Sequence, residues 1–236
     1  MPDVIVVGAG AAGCEAAVRL ARSGADVLLL TTSLDTVYSA GRERVAIPMP
    51  EGTLGAELLE HLPVVEDGTV AAWEVHAQAK YLLEREERLH LMQSNVDEVL
   101  VNPALHVEGV ATWEGLSYRS AAVALCLGPF LRSRLVSGAT EENAGRPGEM
   151  AYDELAEDLV SHGFDFVPEE HGGGSGEVPA WQGTFLRFAD GVVNEGRVVG
   201  ISGLYAAGQV VLGAVSYEAA ARDAHAMVNA ILDDRI

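Results

Sequence analysis

Three glycines, Gly8, Gly10 and Gly13, fall in the spacing G-x-G-x-x-G, and their value lies in the side chains they lack. Gly8 can make a tight turn, Gly10 can let backbone approach a pyrophosphate, and Gly13 can let a helix pack close to a strand. A diphosphate there would rest on the unpaired amides of a helix N-terminus, where the helix dipole favours negative charge. Ala11 and Ala12 complete that turn. The chemistry this predicts is dinucleotide binding. By itself the spacing also fits an ordinary glycine turn, so the flanking elements must decide.

Those elements are legible. Val4 to Val7 is an apolar, β-branched run, the pattern of a strand buried on both faces of a parallel sheet. An alanine-rich helix is expected from Ala11 to Ser23, and Val27 to Leu30 reads as a second buried strand. Strand, glycine turn, helix and strand in about 30 residues make the dinucleotide-binding unit. At the end of the second strand, where Asp or Glu usually holds a ribose hydroxyl, stands Thr31. Thr31, Thr32, Ser33 and Asp35 are therefore the candidate ribose partners. No Arg or Lys lies between Asp26 and Gly41, which argues against a 2′-phosphate and hence against NADP. NAD and FAD both stay open on these residues.

With 236 residues, 49% of them apolar, the chain can bury a sizeable core, and a single domain is expected with a small irregular lobe at about 129–200. Cys14 and Cys126 lie in apolar patterns and read as small buried hydrophobes. The chain opens on Met-Pro-Asp and enters its first strand at once, and no apolar run nears the roughly 18 residues of a membrane span. A cytoplasmic location is the expectation. Thirty-five acids against fifteen bases give a formal charge of −20. A field of that sign opposes nucleic acid and anionic membranes. The acids are scattered, as on a solvated surface.

Further along, residues 33–63 read as an irregular excursion near the cofactor with a short helical pattern at Leu54 to His61. Trp73 to Arg88 predicts an amphipathic helix with Val75, Ala79, Leu82 and Leu83 on one face. Three β-rich runs follow, Leu89 to Val101, Leu105 to Trp113 and Leu116 to Leu127, the last broken near Ser120 and ending in a buried strand. They read as a meander. A Gly-rich loop is expected at Thr140 to Gly148 and a helix at Tyr152 to His162. His-Gly-Gly-Gly-Ser-Gly-Glu at 171–177 has the composition of a phosphate cradle but not its ending, and reads as a flexible surface loop. Leu204 to Gln209 is a short buried strand closing on Gly208. The last helix runs from Ser216, its expected N-cap, to Asp233. The seven histidines fall at no metal-ligand spacing, so no metal site is expected, and neither a G-x-S-x-G elbow nor a P-loop occurs. The catalytic residues are unassigned; the chemistry is expected to belong to a bound cofactor.

With both ends read, the chain resembles the glucose-inhibited division protein A family, FAD-dependent proteins that modify tRNA uridine. The resemblance lies in DVIVVGAGAAGCEAA through LLLTTSLDT, then HAQAKYLLE, LHLMQSNVDEVLV, LCLGPFLRSRLVSG with AGRPGE, and the closing GLYAAGQVVLGAVSYEAAARDA. It implies a Rossmann-like α/β FAD-binding domain with a parallel central sheet and a small β-meander, and it favours FAD over NAD. By the same resemblance, Gly208 and Gln209 lie by the ribityl and phosphate groups. Val215 to Glu218, with Ser216 and Tyr217, approach the flavin ring. Ser94 to Val96, including Asn95, meet the adenine through backbone, and Gly128 turns close to the cofactor.

The departures bear on function. Ala11 stands where the family usually has His. A Cys-Asn-Pro-Ala segment, carrying a cysteine thought to act in catalysis, has no counterpart between Asp35 and Trp73. Nor is there a counterpart of the large nicotinamide and substrate insertion or of the helical domain that engages tRNA. The resemblance thus covers an FAD-binding core. It implies a small FAD-dependent oxidoreductase, alternatively a flavin-binding subunit, sensor or electron carrier working with a partner chain, and more distantly tRNA modification. The redox partner, small molecule or protein, is unassigned; nucleic acid and membrane are not expected, and a homo-oligomer stays open.

Overall fold

The computed structural model describes residues 1–39, 44–46, 49–65, 68–175 and 178–234. Among these residues, a seven-stranded sheet has the order Val193–Asn194, Arg197–Val198, Leu204–Ala206, Val123–Leu125, Val4–Val7, Val27–Thr31 and Leu89–Gln93. The strands from Leu204–Ala206 to Leu89–Gln93 are parallel. The remaining pair is antiparallel and closes one edge. The α/β, Rossmann-like architecture with a parallel central sheet is therefore as expected.

Alternation along the first strand explains the layers, since successive side chains leave a strand on opposite faces. Val4 and Val6 join a core with the helices Ala11–Arg22, Ala72–Arg85 and Tyr217–Asp234. Ile5 and Val7 join the other core, built from the antiparallel meander Val96–Val101, Val107–Thr112 and Ser117–Arg119 and the helix Glu154–Ser161. The first and last helices share one core through small residues, among them the buried Ala16, Ala17, Ala220 and Ala224. The face expected on helix Ala72–Arg85 is present, with Val75, Ala79 and Leu83 buried and Leu82 packed beside them.

The β-rich stretch is divided differently from the sequence expectation. Leu89–Gln93 and Val123–Leu125 belong to the central sheet, and only the strands between them form the meander. The chain leaves the sheet at Ser94, whose amide donates to Thr31 O (2.9 Å). It returns at Ser120, whose hydroxyl holds the carbonyls of Asp3 and Ala122 at 2.9 and 3.0 Å.

The region expected to be an irregular lobe is also ordered. An antiparallel sheet runs Thr140–Glu142, Arg134–Ser137, Val178–Phe188, Phe166–Ser175, with Ala144–Arg146 paired to Glu149–Met150 beside it. The expected Gly-rich loop at 140–148 is therefore largely strand. The glycine-rich 171–175 is strand rather than loop, the half of a long hairpin's first strand nearest its tip; 176 and 177 lie outside the described residues. Cross-strand Trp181 explains the glycines. A Cβ on Gly172 would come within 2.9 Å of the Trp181 carbonyl oxygen, and one on Gly173 within 2.9 Å of its ring.

Candidate functional site

A cleft of about 630 Å³ opens at the carboxyl ends of the parallel strands, within the size range of small-molecule and cofactor sites and at the end of the sheet where α/β folds bind ligands. Its first wall is the glycine turn: Gly8, Gly10, Ala11 and Ala12 all line it. Gly8 takes φ +98° and its missing Cβ would meet Cys126 O at 2.3 Å, so the turn can be made only by glycine. Gly10 is the extended N-cap of the first helix and supplies no side-chain cap. The first amides of that helix therefore face the cleft without an intrahelical partner. A Cβ on Gly10 would meet no protein atom within 4 Å. Gly13 does not line the cleft; it lets the helix touch the turn.

The second wall comes from the far end of the chain. Gly128 (φ +59°), Gln209, Val215, Ser216 and Tyr217 line the cleft. Ser216 caps the last helix as expected, its Oγ accepting from Ala219 N (3.2 Å). Gly208 lies behind the lining. Its amide donates to Asp223 Oδ2 (2.7 Å), and a Cβ there would approach Ala12 Cβ to 2.8 Å. Burial pushes the Asp223 carboxyl above the usual range. Glu218 pairs with Arg222 and is turned away from the lining.

Of the ribose candidates, Thr31 and Thr32 line the cleft, while Ser33 and Asp35 do not. Ser33 Oγ instead accepts from Asp35 N (3.2 Å) in a local turn. Thr36 and Ser39 are additional hydroxyls on that wall. Asn95 and Val96 also lie outside the lining. Val96 is fully buried in the sheet core, and Asn95 is held by its carbonyl, which accepts from Trp113 N (3.1 Å), and by its Nδ2 near Met150 Sδ (3.7 Å).

Sequence reasoning missed the third wall, contributed by the hairpin and its neighbours: Phe130, Arg146, Glu149, Tyr152, His171 and Trp181. The Arg146 guanidinium stacks 5.3 Å from the Phe130 ring centroid and pairs with Glu149 (3.4 Å). His171 Nε2 lies 3.3 Å from Ser133 Oγ, and that hydroxyl donates to Thr184 O (3.0 Å). Burial, with Arg146 nearby, pushes the His171 pKa down to about 4. The available signal was the histidine ahead of the glycines at 172–174, read there as loop composition.

Both thiols are free and buried. Burial pushes both Cys14 and Cys126 well above the usual thiol range, in line with their reading as buried hydrophobes. Among the described residues, no cluster of His, Cys, Asp or Glu is arranged to hold a metal, and no helix is long and apolar enough to cross a membrane.

The family model for glucose-inhibited division protein A matches residues 3–46 and 68–168. The chain belongs to that family. It is 36% identical to a GidA-related protein of Thermus thermophilus, whose crystal structure superposes with a TM-score of 0.86 over 98% of each chain. GidA of Aquifex aeolicus shares the fold, with TM-score 0.84 at 16% identity, covering 98% of this chain and 63% of that one. The tRNA uridine 5-carboxymethylaminomethyl modification enzyme MnmG of Protochlamydia amoebophila is 32% identical over 186 residues, 69% of this chain. That match covers 30% of MnmG, so this GidA-family chain aligns with under a third of its curated relative's length.

Proposed function

We propose that this chain binds FAD in the cleft and serves as a small FAD-dependent oxidoreductase. One observation carries the reading. The uncapped helix start at Gly10 to Ala12 and the start of the last helix at Ser216 and Tyr217 border a single cleft. A diphosphate fits the first, where a Cβ on Gly10 would fill open space rather than meet protein. Thr31 and Thr32 stand where a ribose would be held, and the second helix start faces the ring end. FAD supplies electron transfer when bound. The protein's part is to hold the diphosphate on backbone amides, orient the ring against Tyr217, and wall the cleft with Phe130 and Trp181.

A second reading, a flavin-binding subunit or electron carrier completed by a partner chain, draws support from His171. With its pKa near 4 the imidazole is neutral and a weak base at neutral pH. Proton transfer to substrate would then fall to groups other than this histidine. The tRNA-modifying activity of MnmG is the least favoured reading, because a formal charge of −20 opposes binding of the tRNA polyanion.

The test is purification without added cofactor, heat release, and chromatographic identification of any nucleotide. FAD supports the proposal. A protein that releases NAD, or stays colourless after incubation with FAD, would sink it. Anaerobic turnover with candidate reductants then separates a self-sufficient oxidoreductase from a subunit awaiting its partner.

A further inference from the structure

Glu15 is a carboxylate buried to 1% exposure inside the alanine-rich first helix. A buried charge survives only when paired, and Glu15 is paired on every side. It accepts from the amides of Leu54 and Gly55, both at 2.9 Å, and from the Tyr38 hydroxyl at 3.3 Å. His225 Nε2 of the last helix lies at 3.2 Å. One side chain thus ties the first helix, the helix Leu54–Glu60, the segment around Tyr38 and the last helix together.

Tyr38 is the link to the cleft. Its φ is +58°, a conformation uncommon for a residue with a side chain and one that its surroundings must hold. Its amide donates to Ala9 O in the glycine turn (2.8 Å), and its ring stacks on Tyr217 with centroids 5.8 Å apart and planes 17° from parallel. Tyr217 lines the cleft. Burial and the neighbouring Glu15 push the Tyr38 phenol well up, so it remains a donor to the carboxylate.

We propose that Glu15 is a positioning residue of the cofactor site: through Tyr38 it holds Tyr217 flat at the ring end of the cleft. The inference rests on the FAD reading. Removing the carboxylate releases the Tyr38 hydroxyl, and the Tyr217 ring loses its fixed place.

A double-mutant cycle on FAD affinity tests it, with Glu15→Leu, which removes both acceptor oxygens, and Tyr217→Leu measured singly and together by FAD titration. Each single change is expected to weaken FAD by about tenfold, and the double to be within about twofold of the worse single, because both remove one positioned ring. The fluorescence of bound flavin should rise in both, as the stacked tyrosine ceases to quench it. Should Glu15→Leu fail to fold, Tyr38→Phe replaces it, keeping the ring and removing only the hydroxyl. Additive losses, or unchanged flavin fluorescence in Glu15→Leu and Tyr38→Phe, would show that Glu15 only packs the helices and overturn the proposal alone. A wild-type chain that takes up no FAD overturns the cofactor reading and this one with it.

Discussion

An alanine Cβ at position 13 would lie 1.8 Å from the carbonyl oxygen of Gly8. The third glycine of the turn therefore serves the contact between helix and turn, whereas Gly10 faces open space. The two positions should separate experimentally. Gly13→Ala forces backbone apart and should lower stability by about 1–3 kcal/mol or more, visible as a lowered Tm in the absence of cofactor. Gly10→Val should leave the apo Tm nearly unchanged and abolish FAD uptake. Equal loss of Tm in both would remove this division of roles.

His171 gives a pH dependence whose sign is fixed. Its pKa in the folded chain is about 4, below the ordinary value of 6.5, so between those values the unfolded chain binds more protons. Stability therefore falls as pH drops from about 6.5 to about 4. In His171→Gln that part of the acid loss should vanish. Thermal melts of both proteins at pH 7 and pH 4.5 check it: the wild type should lose more degrees over this interval, and identical losses would refute the buried neutral imidazole.

Cys14 and Cys126 should not react with a thiol reagent in the native protein and should both react after unfolding, since burial raises both thiols. Labelling of the native chain within minutes would mean that the glycine turn opens far more readily than its packing implies.

Asp223 holds Gly208 through its backbone amide at 2.7 Å. Asp223→Ala leaves that buried donor without its partner and should cost about 1–3 kcal/mol. Because Gly208 backs the wall formed by Gln209, FAD affinity should fall as well. Loss of Tm with unchanged FAD affinity would place Asp223 outside the site's support.

Mixed with tRNA at physiological salt, the chain should show no micromolar binding, and little change when salt is lowered, because counterion release needs basic side chains against phosphates. A strong salt-dependent complex would revive tRNA modification.

The glycine unit was legible because its signals are local: a β-branched run, a turn that demands missing side chains, and an alanine helix. The last strand and helix were legible for the same reason. The third wall was not, because Arg146, His171 and Trp181 sit on short or Gly-rich hairpin strands that carry little alternation to read, and Tyr152 lies in the connection ahead of a helix. Glu15 stood in the sequence as one charge among alanines; only its four partners, from distant segments, show why it is buried. Asn95 and Val96 were placed near the cleft by resemblance, yet the chain's turn out of the sheet at Ser94 carries them behind its lining.

The pairing of helix Ala11–Arg22 with helix Tyr217–Asp234 has a consequence for how the protein comes into being. Arg19 reaches Asn229 (3.3 Å) and Glu15 reaches His225, contacts spanning 210 residues each. The glycine turn leaves the ribosome long before the helix that covers its flank. Until synthesis has passed that helix, Ala16 and Ala17 lack their cover and Glu15 lacks its His225 partner, and the nascent chain must carry that surface exposed. Refolding should accordingly be slow and limited by the meeting of these two helices.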